Sequence, residues 1–152
     1  MRRTIGLVAL GLTLTATAVI ADDGVGDKQQ IVDQRVAAMK QMGGKVNEAF
    51  QLSGTDAAGA RAKLAEAIAL ASGIPSRFPK GTADGDPDVK TRALPKIWSD
   101  SAGFQKAADG LVDALKAVDA KLAAKDPGVE AAFGDARKAC GTCHDTYRGP
   151  NK

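Results

Sequence analysis

Along most of this chain apolar residues recur every three or four positions, the spacing that gathers them on one side of an α-helix. Four such stretches are separable. The first runs from about Lys28 to Leu52 and carries Ile31, Met39, Met42, Val46 and Phe50 on one stripe. The second runs from about Thr55 to Phe78, with Leu64, Ile68, Ala71 and Phe78 inward and Thr55 or Ser53 as its cap. The third follows Ser99 and Asp100; Phe104, Ala108, Leu111, Leu115, Val118 and Leu122 fall at uninterrupted steps of four and three. The fourth is opened by Asp126 as cap and Pro127 at the first helical position, and Val129, Phe133, Ala136, Cys140, Cys143 and Tyr147 keep the same rhythm. Between the second and third lies FPKGTADGDPDVKTRALPKIW, a loop of about twenty residues broken by Pro79, Pro87 and Pro95. Loops of more than about 12–15 residues in a compact domain usually cover or bind something. Two helices, a long crossover and two more helices predict an all-α fold, an antiparallel four-helix bundle able to hold a cofactor in its core.

Composition agrees. Alanine is abundant and aromatic residues make up only 4% of the chain, which favours helix over sheet. The first residues stand apart from the bundle. MRRTIGLVALGLTLTATAVIADDG has Arg2 and Arg3, an uncharged and largely apolar run from Ile5 to Ile20, then small residues before Asp22 and Asp23. This is the three-part pattern of a secretory signal peptide. We therefore read residues 1–21 as a cleaved signal and residues 22–152 as one domain, with cleavage after Ala18 the alternative. As a membrane anchor the run is short and rich in threonine. Removing it takes away two arginines and no acid, so the formal charge falls from +3 to +1. The remaining Lys and Arg residues are spread among Asp and Glu, without the clustered basic face of a nucleic-acid binder.

Both cysteines and the only histidine of the chain sit within KACGTCHDTYRG. On the fourth helix Cys140, Cys143 and His144 share the inward side, since His144 follows Cys140 by four residues. A thioredoxin-like pair would need a strand before its helix. Structural zinc would need a fourth ligand, and no further Cys or His exists to supply it. Covalent haem attachment through C-x-x-C-H uses all three residues: each thiol adds to one vinyl group and the histidine binds iron. Export to the periplasm and one covalently attached haem c are thus the expectations.

The export signal, the helix order and the C-terminal position of CGTCHDTYR resemble the class II c-type cytochromes, the cytochrome c prime family with its low-spin c-556 relatives. QRVAAMK near the start of the mature chain, FPKGT, and KIWSD before the third helix add to the likeness. The resemblance implies that Cys140 and Cys143 are the thioether sites and His144 the proximal ligand. It further implies that Arg148 is the basic residue on the proximal side, Arg35 lies near the propionates, and Met39 faces the sixth coordination position. Trp98 matches a tryptophan near the haem edge, although a lone tryptophan also serves as core. Independently, Arg35 stands four residues from Ile31 and from Met39, on the apolar stripe. A buried charge there needs a partner, unless it snorkels to solvent at the bundle end. Gly43 and Gly44 weaken the first helix locally and either admit a close approach or are merely tolerated.

With the only histidine used, ligation by two histidines within one chain is excluded, and Met39 and Met42 are the mature chain's only methionines. If Met39 binds iron, the haem is low-spin and suited to electron transfer with a periplasmic redox partner. If Met39 only packs, the iron is five-coordinate and open to nitric oxide or carbon monoxide. RVAAMK followed by Gly-Gly resembles the c-556 pattern and favours the carrier. An enzyme is not expected, because a peroxidase-type site would want a distal histidine. A homodimer through the first two helices would use apolar residues such as Val36 or Ile74. Replacing Cys140 and Cys143 together by alanine should abolish covalent haem, checked by haem staining of a denaturing gel.

Overall fold

The computed structural model describes residues 25–150; the segment read as a signal peptide lies outside them. The chain forms α1 (Val25–Leu52), α2 (Ala57–Ser72), the single turn α3 (Lys96–Ser99), α4 (Ser101–Ala123) and α5 (Val129–Tyr147), with a 3-10 turn at Pro75–Arg77. Short links join α1 to α2 and α4 to α5, which makes each pair antiparallel neighbours. α1 packs on α2, α2 on α4, and α4 on α5.

All six inward positions read on α4 are buried, with Leu115 and Val118 fully so. α2 meets them with Ala60, Leu64, Ala67 and Ala71, small residues that let the backbones approach. On α1 the buried line is Val32, Arg35, Met42, Val46 and Ala49, while Ile31, Met39 and Phe50 are half-buried. The stripe is therefore turned from the expected one: Val32 and Ala49, outside the expected spacing, are buried, while Arg35 is buried where its place on the apolar stripe puts it. α1 and α5 touch where Phe50 meets Phe133 edge-on, ring centroids 5.3 Å apart, with Arg137 4.3 Å over the Phe50 ring. Towards the start of α1 and the end of α5 a cavity lies between them instead.

Three boundaries differ from expectation. α2 stops at Ser72 rather than Phe78, because Gly73 caps it and Pro75 opens a separate 3-10 turn. Its cap is Asp56, whose carboxylate accepts the Gly59 N–H at 2.9 Å, while the Ser53 hydroxyl donates back to Phe50. Asp126 does not cap α5, and Pro127 is not its first residue. The Asp126 carboxylate accepts the Gly128 N–H at 2.6 Å and the Lys121 ammonium at 3.2 Å, an Asx turn that delays the helix to Val129. Ile74 is not free for a partner: it is buried in the core, whereas Val36 is 43% exposed. Gly43 and Gly44 are exposed, and no protein atom lies within 4 Å of a Cβ built on either.

Because Leu115 is fully enclosed between helices, Leu115→Ala should lower unfolding free energy by about 2–5 kcal/mol in urea denaturation.

Candidate functional site

The crossover between α2 and α4 is a strap with fixed ends. Trp98 Nε1 donates to the Phe78 carbonyl at 2.9 Å and so closes the base of the loop. Arg35 holds the strap to α1: Nη1 donates to Thr82 Oγ1 at 2.8 Å, and Nη2 to the Thr82 carbonyl at 2.6 Å and Thr91 Oγ1 at 2.7 Å. Its guanidinium also lies 4.6 Å over the Phe78 ring. At the α5 side the backbone pairs as a short antiparallel bridge, Leu94 N–H to the Tyr147 carbonyl and Gly149 N–H to the Arg92 carbonyl, with Arg92 Nε donating to Gly149.

Strap and helices enclose a cavity of about 530 Å³, within the usual range of ligand pockets. Met39, Met42 and Val36 line it from α1, Phe104 and Leu111 from α4, and Cys140, Cys143, His144 and Tyr147 from α5. Lys90, Thr91, Arg92 and Ala93 of the strap complete the wall. Burial pushes both thiols above the usual cysteine range, and for Cys143 the neighbouring Cys140 adds to it. Redox-active C-x-x-C pairs need the opposite shift. Burial also lowers the His144 pKa, and Arg148 and Arg92 lower it further against the pull of Asp145. A neutral imidazole able to ligate a metal results. Among the described residues no cluster of three or more His, Cys, Asp or Glu could hold a bare metal ion.

The cytochrome c' family profile matches residues 30–148, covering every wall of this cavity. The chain belongs to the cytochrome c' family. Cytochrome c-556 of Rhodopseudomonas palustris is 33% identical to it, over 97% of this chain and 97% of its own length. A solved cytochrome c' described as having an unusual ligand-controlled dimer dissociation superposes with a TM-score of 0.70 at 28% identity, covering 81% of this chain and 97% of its own. A nitric oxide complex of a variant cytochrome c' from Alcaligenes xylosoxidans gives the same TM-score and identity, over 82% and 97%. Like its family, the chain carries covalently bound haem c.

The residues present fit that group. Two thiols held protonated and a neutral imidazole face one largely apolar chamber, whose lining contains five cations and no carboxylate to repel propionates. Of the site residues read from the cytochrome c' resemblance, Cys140, Cys143, His144, Arg35, Met39 and Arg148 all line the cavity. Trp98 does not; it is half-buried against the core and acts on the site through Phe78.

Sequence reasoning missed Thr82 and Thr91, the acceptors of Arg35, and the pair Tyr147 and Asp100. Tyr147 Oη donates to Asp100 Oδ2 at 2.8 Å, and burial, with this hydrogen bond adding to it, pushes the phenol pKa up to about 12. Asp100 also caps α4 through the Gly103 N–H. A Cβ on Gly103 would sit 2.5 Å from that carboxylate and 2.6 Å from the tyrosine oxygen, so a larger residue there would have to displace one of the two hydrogen-bonded side chains. A charged Arg35 on an apolar stripe was the available signal that polar partners had to exist in the loop.

Thr82→Val should cost about 1–3 kcal/mol, since a buried guanidinium loses one acceptor and Pro79 loses the hydroxyl donor. Chemical denaturation of the haem-loaded protein checks it.

Proposed function

We propose that this protein is a periplasmic electron carrier. Cys140 and Cys143 would form the thioether links, His144 would ligate the iron, and Met39 would supply the sixth ligand. The observation behind this reading is that Met39, on the α1 wall, lines the same chamber as His144 on the α5 wall. Haem iron with a methionine axial ligand exchanges one electron at a raised potential. Arg35 is 3% exposed, has three neutral acceptors and no carboxylate, and burial lowers its pKa. It is therefore placed to receive a propionate charge. No Asp, Glu or second His lines the cavity, so the distal acid/base histidine that a peroxidase-type site would want has no counterpart among the lining residues.

A second reading rests on the character of the distal wall. Val36, Met42, Ile74 and Phe78 surround the Met39 side of the cavity with apolar surface. If Met39 only packs there, the space suits a small neutral gas, and one solved relative is a nitric oxide complex.

Visible spectra of the ferric and ferrous protein, with and without carbon monoxide, separate the two. The carrier should show low-spin bands, a methionine-to-iron charge-transfer band and no reaction with carbon monoxide. Met39→Leu should turn it high-spin and reactive; a low-spin spectrum unchanged by that substitution would remove Met39 as ligand.

A further inference from the structure

The charges around the cavity are one-sided. Arg35, Lys40, Lys90, Arg92 and Arg148 line it, and no Asp or Glu does. Arg35 is buried beneath the strap, but Lys40, Lys90 and Arg148 are exposed and Arg92 is half-buried. Four cations elsewhere are paired with carboxylates, Lys45 with Glu66, Lys63 with Glu48, Arg61 with Asp119 and Lys121 with Asp126, and others such as Lys106 and Lys116 stand singly on exposed helix surface, so it is the gathering of one sign at a single opening that sets the cavity apart. Among the described residues none of the four cations at the cavity belongs to an ion pair. The propionates of a haem carry fewer negative charges than this set carries positive ones. For a chain with a formal net charge of only +3, the excess is local.

The same opening holds Val36, 43% exposed and the only exposed large hydrophobic side chain among the described residues. An apolar spot ringed by like charges has the make-up of a small, transient interface, in which charge steers the encounter and modest burial holds it. A second copy of this chain is a poor occupant. A two-fold contact centred on Val36 would set each copy's lysines against the other's.

We propose that the cavity mouth is the docking face for an acidic redox protein, with Val36 at its centre and Lys40, Lys90, Arg92 and Arg148 around it. The proposal rests on the electron-carrier reading and adds the place and charge of the partner.

The test is stopped-flow oxidation of the ferrous haem-loaded protein by two probes, the hexacyanoferrate(III) anion and the tris(phenanthroline)cobalt(III) cation. Each takes one electron from the ferrous iron and is itself reduced to its divalent-metal form. The anion's rate constant should fall about tenfold from low to high salt, and the cation's should rise. Lys40→Glu with Lys90→Glu should slow the anion roughly tenfold at low salt. The matched pair Lys106→Glu with Lys116→Glu, exposed on α4, should change it less than about twofold. Equal salt dependence for both probes, or equal slowing by the α4 pair, overturns the proposal while leaving the carrier reading intact. Failure of both probes to oxidise the protein removes the carrier reading and the docking face with it. A dimer in sedimentation velocity that Val36→Asp dissociates assigns the face to a second copy. Co-sedimentation with phosphatidylglycerol vesicles that the Lys40 and Lys90 pair abolishes assigns it to a membrane; either result overturns the proposal.

Discussion

A guanidinium cannot enter a protein interior without acceptors for its donors, and this requirement at Arg35 organises the site. Three of its contacts are to the strap, on Thr82 and Thr91, and its flat face rests on Phe78. The crossover of about twenty residues is thereby held against α1, to which Gln29 ties it a second time by accepting the Lys90 N–H at 2.7 Å. All three acceptors are neutral. They satisfy hydrogen-bonding geometry without supplying a negative charge, so the interior retains a cation at the edge of the chamber. Holding the wall and attracting an anion into the cavity are two results of one buried side chain.

The opposite wall follows from helical geometry. Residues three and four apart lie on one face, so Cys140, Cys143 and His144 converge without any loop to position them. Precision then depends on fixing the last turn of α5. Tyr147, three residues beyond His144, reaches Asp100 at the start of α4, and the backbone at Tyr147 and Gly149 pairs with the strap. The turn that carries His144 is thus tied to α4 and to the same segment that Arg35 ties to α1. Gly103 leaves room for the tyrosine oxygen at the cap, which links a capping choice to the orientation of the site.

What could be read from the sequence divides along the same line. The α4 stripe was legible because all six of its positions are apolar and regularly spaced, and C-x-x-C-H was legible because it needs only local helical spacing. The α1 stripe was partly misread, since Val32 and Ala49 carry burial there in place of Ile31 and Phe50, and a small alanine signals little by hydropathy, whereas Arg35 was read on the inward side and is buried. Asp126 looked like a cap, and its carboxylate folded onto Gly128 instead; local side-chain competition of this kind has no periodic signature. Ile74 offered itself as an apolar residue free for a partner, because the turn that buries it depends on Pro75 and on packing against distant elements, which periodicity does not show. Thr82 and Thr91 lie far from Arg35 in sequence, so only the folded strap identifies them as its partners.

The cavity also bears on stability. α1 and α5 are joined by aromatic contact at Phe50 and Phe133, and apart from that end they depend on the strap and on whatever fills the space between them. A thioether-linked haem stays attached when the chain unfolds, so its covalent bonds alone do not favour the folded state. Burial of an apolar ring in a chamber lined by Met42, Phe104 and Leu111 would favour it, because that surface is brought together only in the folded chain. The cofactor therefore acts as the missing helix interface of the bundle. Any side chain that tightens the enclosure of the cavity, Arg35 above all, contributes to the fold and to the haem chamber at once.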